Sequence, residues 1–329
     1  MPSSDSILLV HRGAGGDDHL YWARGDADAN GNLTFTGDHE FDQGNRSGSG
    51  VGLAWYNGTL FCVHPGSQDS ALWWCTWTGH GFTEDQRFPM DNRADCTPAL
   101  KVWENKLFCV HKGGASRDEF LYYTTWDDAQ GHWNEDVRFQ NDCRTGAGPW
   151  VTQLGGTTYC FFRGRSSLED NTIYYSRWTA PSWGPQTALS TNLGRPDVGA
   201  GWSGPQTYST PSAIDWNGTW ILAHRGRKFT NHLPASNDTH LWTSTFGNGT
   251  QPWNGGTLSL NSPDKMSQNL AADGPVLFPW RNTLSYIHRG DDEHIWYGHW
   301  NSADLSLSQE TMIPGSGIRY EPAIVRETP

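Results

Sequence analysis

The residues best equipped for chemistry are histidines that recur at matching places: His11, His64, His111, His224 and His288. Each opens a short string, Val10-His11-Arg12-Gly13, Val63-His64-Pro65-Gly66, Val110-His111-Lys112-Gly113, Ala223-His224-Arg225-Gly226 and Ile287-His288-Arg289-Gly290, and a sixth copy reads Phe161-Phe162-Arg163-Gly164. Imidazole is the common general base and metal ligand, and arginine beside it could polarise a carbonyl. Each string is followed by an aspartate three residues before an aliphatic-aromatic pair: Asp17, Asp69, Asp118, Asp170, Asp238 and Asp292, leading to Tyr21, Trp73, Tyr122, Tyr174, Trp242 and Trp296. A residue present in five of six copies is better explained as structure than as catalysis. The expectation is a buried network in each copy, from histidine to the loop aspartate to the tyrosine or tryptophan. Phe162 and Pro65 show that neither histidine nor arginine is obligatory.

The copies imply the elements that carry them. Before five of the six strings comes a segment of the type Pro-Ala-Leu-x-x-Trp-x-Asn, as from Pro98 to Asn105, and the sixth such segment, Glu321-Pro322-Ala323-Ile324-Val325, stands at the end of the chain. A unit reads as four short strands: A (Ala99 to Trp103), B (Leu107 to His111), C (Phe120 to Trp126) and D (Trp133 to Phe139). Four-stranded units of this length are propeller blades. The sequence therefore predicts an all-β, six-bladed β-propeller of four antiparallel strands per blade, one domain over residues 1–329. Because the chain starts on strand B and ends on strand A, N-terminal strands B–D and the C-terminal strand A would share blade 1. That closes the ring and leaves no sheet edge.

The string Val-x-Arg-Gly … Asp-x-x-Leu-Trp … Pro-Ala-x-x-Trp resembles the repeat of tectonin-type and related propeller lectins over nearly the whole chain. That resemblance implies the propeller fold and sugar sites between near-identical blades, a pattern from which this chain departs because its blades are unequal. Fungal lectin-like propeller pericyclases of the hetero-Diels–Alderase kind fall within the same resemblance.

Composition narrows the partners. The 329 residues carry a net charge of −12, 18% charged residues and 19 Trp. No basic stripe supports nucleic-acid or anionic-lipid binding, and no apolar run is long enough for a membrane span. The expected partner is a neutral small organic molecule or a sugar; oligomerisation stays open. The start of the chain shows no signal peptide, so a secreted protein lacking its signal and a cytoplasmic one are equal expectations. Six cysteines (62, 75, 96, 109, 143 and 160) lack metal-ligand spacing and suggest structural or disulfide roles. Six Asn-x-Ser/Thr sequons (Asn32, Asn45, Asn57, Asn217, Asn237, Asn248) would suit a secreted glycoprotein, although Asn57-Gly58 and Asn217-Gly218 equally fit type I′ hairpins.

The symmetry breaks in three connections that share one face: Ser190 to Ser209, Arg227 to Asn237 and Asn261 to Asp273. Long loops in compact domains are commonly functional. One altered sector favours a single pocket over repeated sites. Tryptophans recurring in register pack blades together, whereas Trp150, Trp183, Trp202, Trp220 and Trp253 stand outside the register. The expected site has Arg163 and Tyr208 as catalytic donors and Trp150, Arg195, Trp202, Arg225, Arg289 and Tyr320 as ligand-binding residues, with no metal and no cofactor. Such a site suits a cofactor-free cyclase or pericyclase acting by orientation and fixed donors; the alternative is a lectin for neutral sugars. No sialidase Asp box, G-x-S-x-G, P-loop or H-E-x-x-H is present.

Overall fold

A computed structural model describes residues 6–29, 32–114, 118–168, 170–191, 205–226, 239–246, 259–260, 265–301 and 306–327. The propeller is as expected. Six antiparallel sheets follow one another along the chain, each with strand order A-B-C-D, and among the described residues no α-helix occurs. Blade 3 shows the pattern. Ala99–Trp103 pairs with Lys106–Lys112, which pairs with Leu121–Asp127, which pairs with His132–Trp133 and Val137–Arg138. Strand D is thus split into two short pieces in this blade, and likewise in blades 1, 4 and 6. Blade 1 is closed by Ala323–Arg326 pairing with Ile7–Arg12, so the last strand of the chain hydrogen-bonds to the first.

Tight A–B turns form where left-handed backbone is available. Asn57 and Gly58 have φ of 48° and 76°, and Asn217 and Gly218 have φ of 50° and 78°; both pairs are type I′ turns.

Strand B is the most buried strand of its blade, as the all-buried pattern of Ile7–Arg12 shows. The blades are sewn together by ring stacks between successive D strands: Phe41 on Phe82 at 4.2 Å, Phe88 on Trp133 at 4.9 Å and Phe139 on Trp183 at 4.8 Å, all near parallel. Stacks of this kind add about 0.5–1.5 kcal/mol each beyond the area they bury. Trp183, expected outside the register, is therefore in register with Trp133. It is fully buried and does the work of Trp133 one blade on.

The histidines are structural, but their partner differs from the expected one. His11, His64, His111 and His288 place Nε2 against Asp38, Asp85, Asp136 and Glu310, which stand just before or in strand D. The loop aspartate instead caps its own turn. Asp17, Asp118, Asp170 and Asp292 each accept the amide N–H two residues on and the phenol or indole proton four residues on. This explains the glycine of the repeat: a Cβ at Gly113 would lie 2.3 Å from Asp118, and one at Gly164 2.4 Å from Asp170. The signal for the true partner is an acid three residues before the closing hydrophobe of strand D, as in Asp85–Phe88, Asp136–Phe139 and Glu310–Ile313. Blade 4, which has Phe162 for histidine, has Gln186 at that position.

Two further expectations are corrected. All six cysteines are free, five of them buried; Cys62 and Cys75 face each other across strands B and C of blade 2 without bonding covalently. The Asn45 sequon is unsuited to a glycan, because the Asn45 amide is buried and donates to Asp85 and to the Thr83 carbonyl of the next blade.

Candidate functional site

Strand A of every blade lines the central axis, and between the six strands lies a channel of about 650 Å³. Its walls are largely aliphatic, with Val51, Leu53, Leu100, Val151, Ile214 and Leu277 among the lining residues. Trp150 also lines the channel, its indole N–H held by the Ala213 carbonyl at 2.8 Å. Lys101 is a further polar lining residue, and burial holds its ammonium below the ordinary lysine range.

Where the strands begin, the channel meets a ring of six residues, one per blade. In blade order they are Glu321, Gly50, Thr97, Gly148, Thr210 and Gly274. Side chains and glycines alternate. The Glu321 carboxylate accepts hydrogen bonds from the Thr97 hydroxyl at 3.1 Å and the Thr210 hydroxyl at 3.2 Å, drawing blades 1, 3 and 5 together. The glycines make this possible. A Cβ on Gly50 would lie 2.6 Å from the Thr97 hydroxyl, on Gly148 2.7 Å from the Thr97 carbonyl, and on Gly274 only 1.9 Å from the Thr210 carbonyl. Burial, and next the charge of Asp273, push the Glu321 carboxyl up to about 7, against the hydroxyl bonds that favour its ionised form. Asp273 is itself raised by burial, opposed by Arg289. This acid was absent from the sequence expectations; the signal was the residue before the strand-A proline, which differs in chemistry from blade to blade.

Outside that ring stand the cations that close strand B: Arg12, Lys112, Arg163, Arg225 and Arg289, with Pro65 in blade 2. Each reaches the segment leading into a strand A. Arg12 Nε donates to the Ser47 carbonyl, Arg225 Nε to the Ala271 carbonyl, Arg163 Nη1 to the Tyr208 carbonyl, Lys112 to Asp95, and Arg289 to Asp273 and the Arg319 carbonyl. Arg163 and Arg225 converge on the Tyr208 ring, at 4.6 and 5.6 Å from its centre. Tyr208 is 45% exposed, so it offers an aromatic surface at the mouth.

The expected site residues thus separate into groups. Arg163, Tyr208 and Arg225 come together; Arg289 and Tyr320 lie in the neighbouring sector, where Arg12 stacks on Tyr320 at 5.3 Å; Trp150 belongs to the channel wall. Arg195 and Trp202 lie outside the described residues, as does most of the three long connections. Trp220 is buried and bonded to Asp215, a structural role. Asp17, Asp18 and His19 are the group of close potential metal ligands among the described residues, but Asp17 already accepts from His19 and Tyr21, and Asp18 pairs with Arg46.

The fold and its axial site define a six-bladed β-propeller with a central channel. No family model and no curated protein matches the chain. Among solved structures, it is similar to the fucose-specific lectin from Aleuria aurantia, at 13% identity over 95% of this chain and 97% of that one, with a TM-score of 0.57. It is also similar to AofleA from Arthrobotrys oligospora, at 10% identity over 98% and 89% of the two chains, with a TM-score of 0.54. At these identities the likeness is one of fold.

Proposed function

We propose that the chain binds one small, neutral organic molecule in the central channel and acts on it without a cofactor, in the manner of a pericyclase of the hetero-Diels–Alderase kind. The observation that carries this reading is a 650 Å³ cavity with aliphatic walls, bordered at its mouth by one carboxyl and two hydroxyls. Cavities of about 300–1,000 Å³ with mostly apolar walls and a few convergent polar groups suit small organic ligands. An uncharged ligand enters such walls without the desolvation cost of a charge. A cycloaddition asks for orientation and a hydrogen-bond donor at a carbonyl. Glu321, with its pKa near 7, carries a donatable proton through much of the neutral range.

A second reading, a sugar-binding lectin, draws on the half-exposed Tyr208 with its two arginines and on the fold shared with a fucose-specific lectin. A sugar would stack on the ring and accept guanidinium N–H bonds. The two readings differ in place, which makes them separable by calorimetry and tryptophan fluorescence with 1-naphthol and with methyl α-fucoside. The channel reading expects one naphthol site per chain, quenching of Trp150, loss of binding in Ala99→Phe and retention in Tyr208→Ala. Saturable fucoside binding that disappears in Tyr208→Ala, with no naphthol site, would move the function to the rim.

A further inference from the structure

Two arginines at the mouth, Arg12 and Arg319, have no ion-pair partner among the described residues. Arg12 is 7% exposed, its Nε is used by the Ser47 carbonyl, and its buried Nη1 has no hydrogen-bond partner. Arg319 lies over the same tyrosine: the Arg12 and Arg319 guanidinium carbons are 5.3 and 6.0 Å from the centre of the Tyr320 ring. Arg319 Nη1 donates to the Gly15 carbonyl. Among the described residues neither arginine has a carboxylate within ion-pair distance. The acids of the neighbourhood are committed elsewhere: Asp17 to His19 and Tyr21, Asp18 to Arg46, Asp273 to Arg289, and Glu321 to Thr97 and Thr210. Burial first, and the charge of Arg319 as well, pull the Arg12 guanidinium below its ordinary range, while Tyr320, Asp18 and Asp17 act in the other direction.

A buried guanidinium near a second one, with an unpartnered N–H and no carboxylate in ion-pair contact among the described residues, is costly in a folded chain. In a protein of net charge −12 an acid at this place would be easily supplied. Among the described residues no carboxylate makes that contact, which leaves the free Arg12 N–H open to an anion from outside.

We propose that Arg12, Arg319 and Tyr320 form an oxyanion subsite at the mouth of the propeller, which takes a carboxylate, sulfate or phosphate group of a small ligand. The planar fork of arginine suits such groups, with paired N–H donors to two oxygens. Tyr320 holds both guanidinium groups against one ring face or edge, so the donors are set before the anion arrives. The subsite stands on the outer side of the Glu321 ring and does not depend on what the channel binds.

Thermal unfolding in sodium sulfate, phosphate or acetate, each against sodium chloride at matched ionic strength, tests this with wild type, Arg319→Gln and Arg87→Gln. Arg319 is exposed, so its replacement leaves the fold intact; Arg87 is an exposed arginine of blade 2. The expected result is a saturable rise in Tm beyond that in chloride, with apparent affinity at least fivefold weaker in Arg319→Gln and unchanged in Arg87→Gln. Sulfate and phosphate outperforming acetate would identify a tetrahedral group; the reverse order would identify a carboxylate. A rise that does not saturate and is equal in wild type and Arg319→Gln reflects solute exclusion and would overturn the proposal, whatever the naphthol and fucoside titrations show.

Discussion

Glu321 and Thr97 share a hydrogen bond of 3.1 Å across the propeller axis, although 224 positions separate them and blade 2 lies between their blades. With Thr210 on the other carboxylate oxygen, one side chain joins three alternate blades. The site of greatest chemical interest is therefore also a structural tie.

Its titration should be visible in stability. The Glu321 carboxyl is raised from 4.5 to about 7 in the folded protein, so between those values the folded state holds a proton that the unfolded state has lost. Stability from this group is then fully present below pH 4.5 and lost as pH rises through 7, by up to about 3 kcal/mol. Glu321→Gln removes the titration. Denaturant unfolding of the variant should show a flatter profile from pH 5 to 8 and equal or greater stability than wild type at pH 8.

The alternation of side chains and glycines in the ring is the second prediction. Gly274→Ala places a methyl 1.9 Å from the Thr210 carbonyl, where backbone must move. A loss of about 2 kcal/mol or more is expected. Gly16→Ala, which meets nothing within 4 Å, should change stability by less than about 0.5 kcal/mol. Urea unfolding of the two variants checks both.

A third prediction concerns the histidines. Both ring nitrogens of His111 face acceptors, Nδ1 the Lys112 carbonyl at 3.1 Å and Nε2 Asp136 at 2.9 Å. Burial works against the imidazolium, but Asp136 and these bonds outweigh it and raise the His111 pKa. The stability gained is present below the usual histidine pKa and lost as pH rises through the folded value. Asp136→Ala should cost about 3–5 kcal/mol at pH 6. His111→Phe with Asp136→Gln, the residues blade 4 carries as Phe162 and Gln186, should cost much less than the two single changes together, as a double-mutant cycle would show.

The architecture was legible because each blade repeats the same local demands. A hairpin needing Asn57-Gly58, a glycine under the Asp118 carboxylate and the alternation of a half-buried strand all leave marks within a few residues of sequence. The pairing of histidine with an acid in strand D was misassigned to the loop aspartate, since the two acids stand on opposite sides of strand C in the sequence and only the antiparallel pairing brings Asp136 to His111. Arg163, Arg225 and Tyr208 were grouped from the face they share, but that both guanidinium groups meet the Tyr208 ring is visible only in the tertiary structure.

The sequence by itself determined the number of blades, their strand order and the closure of the ring, because short-range periodicity encodes them. Only the tertiary structure decided that Glu321, Thr97 and Thr210 meet. Each is a single residue before a proline in a different blade, and their contact depends on closing six blades around an axis, a distance in space that no spacing along the chain records.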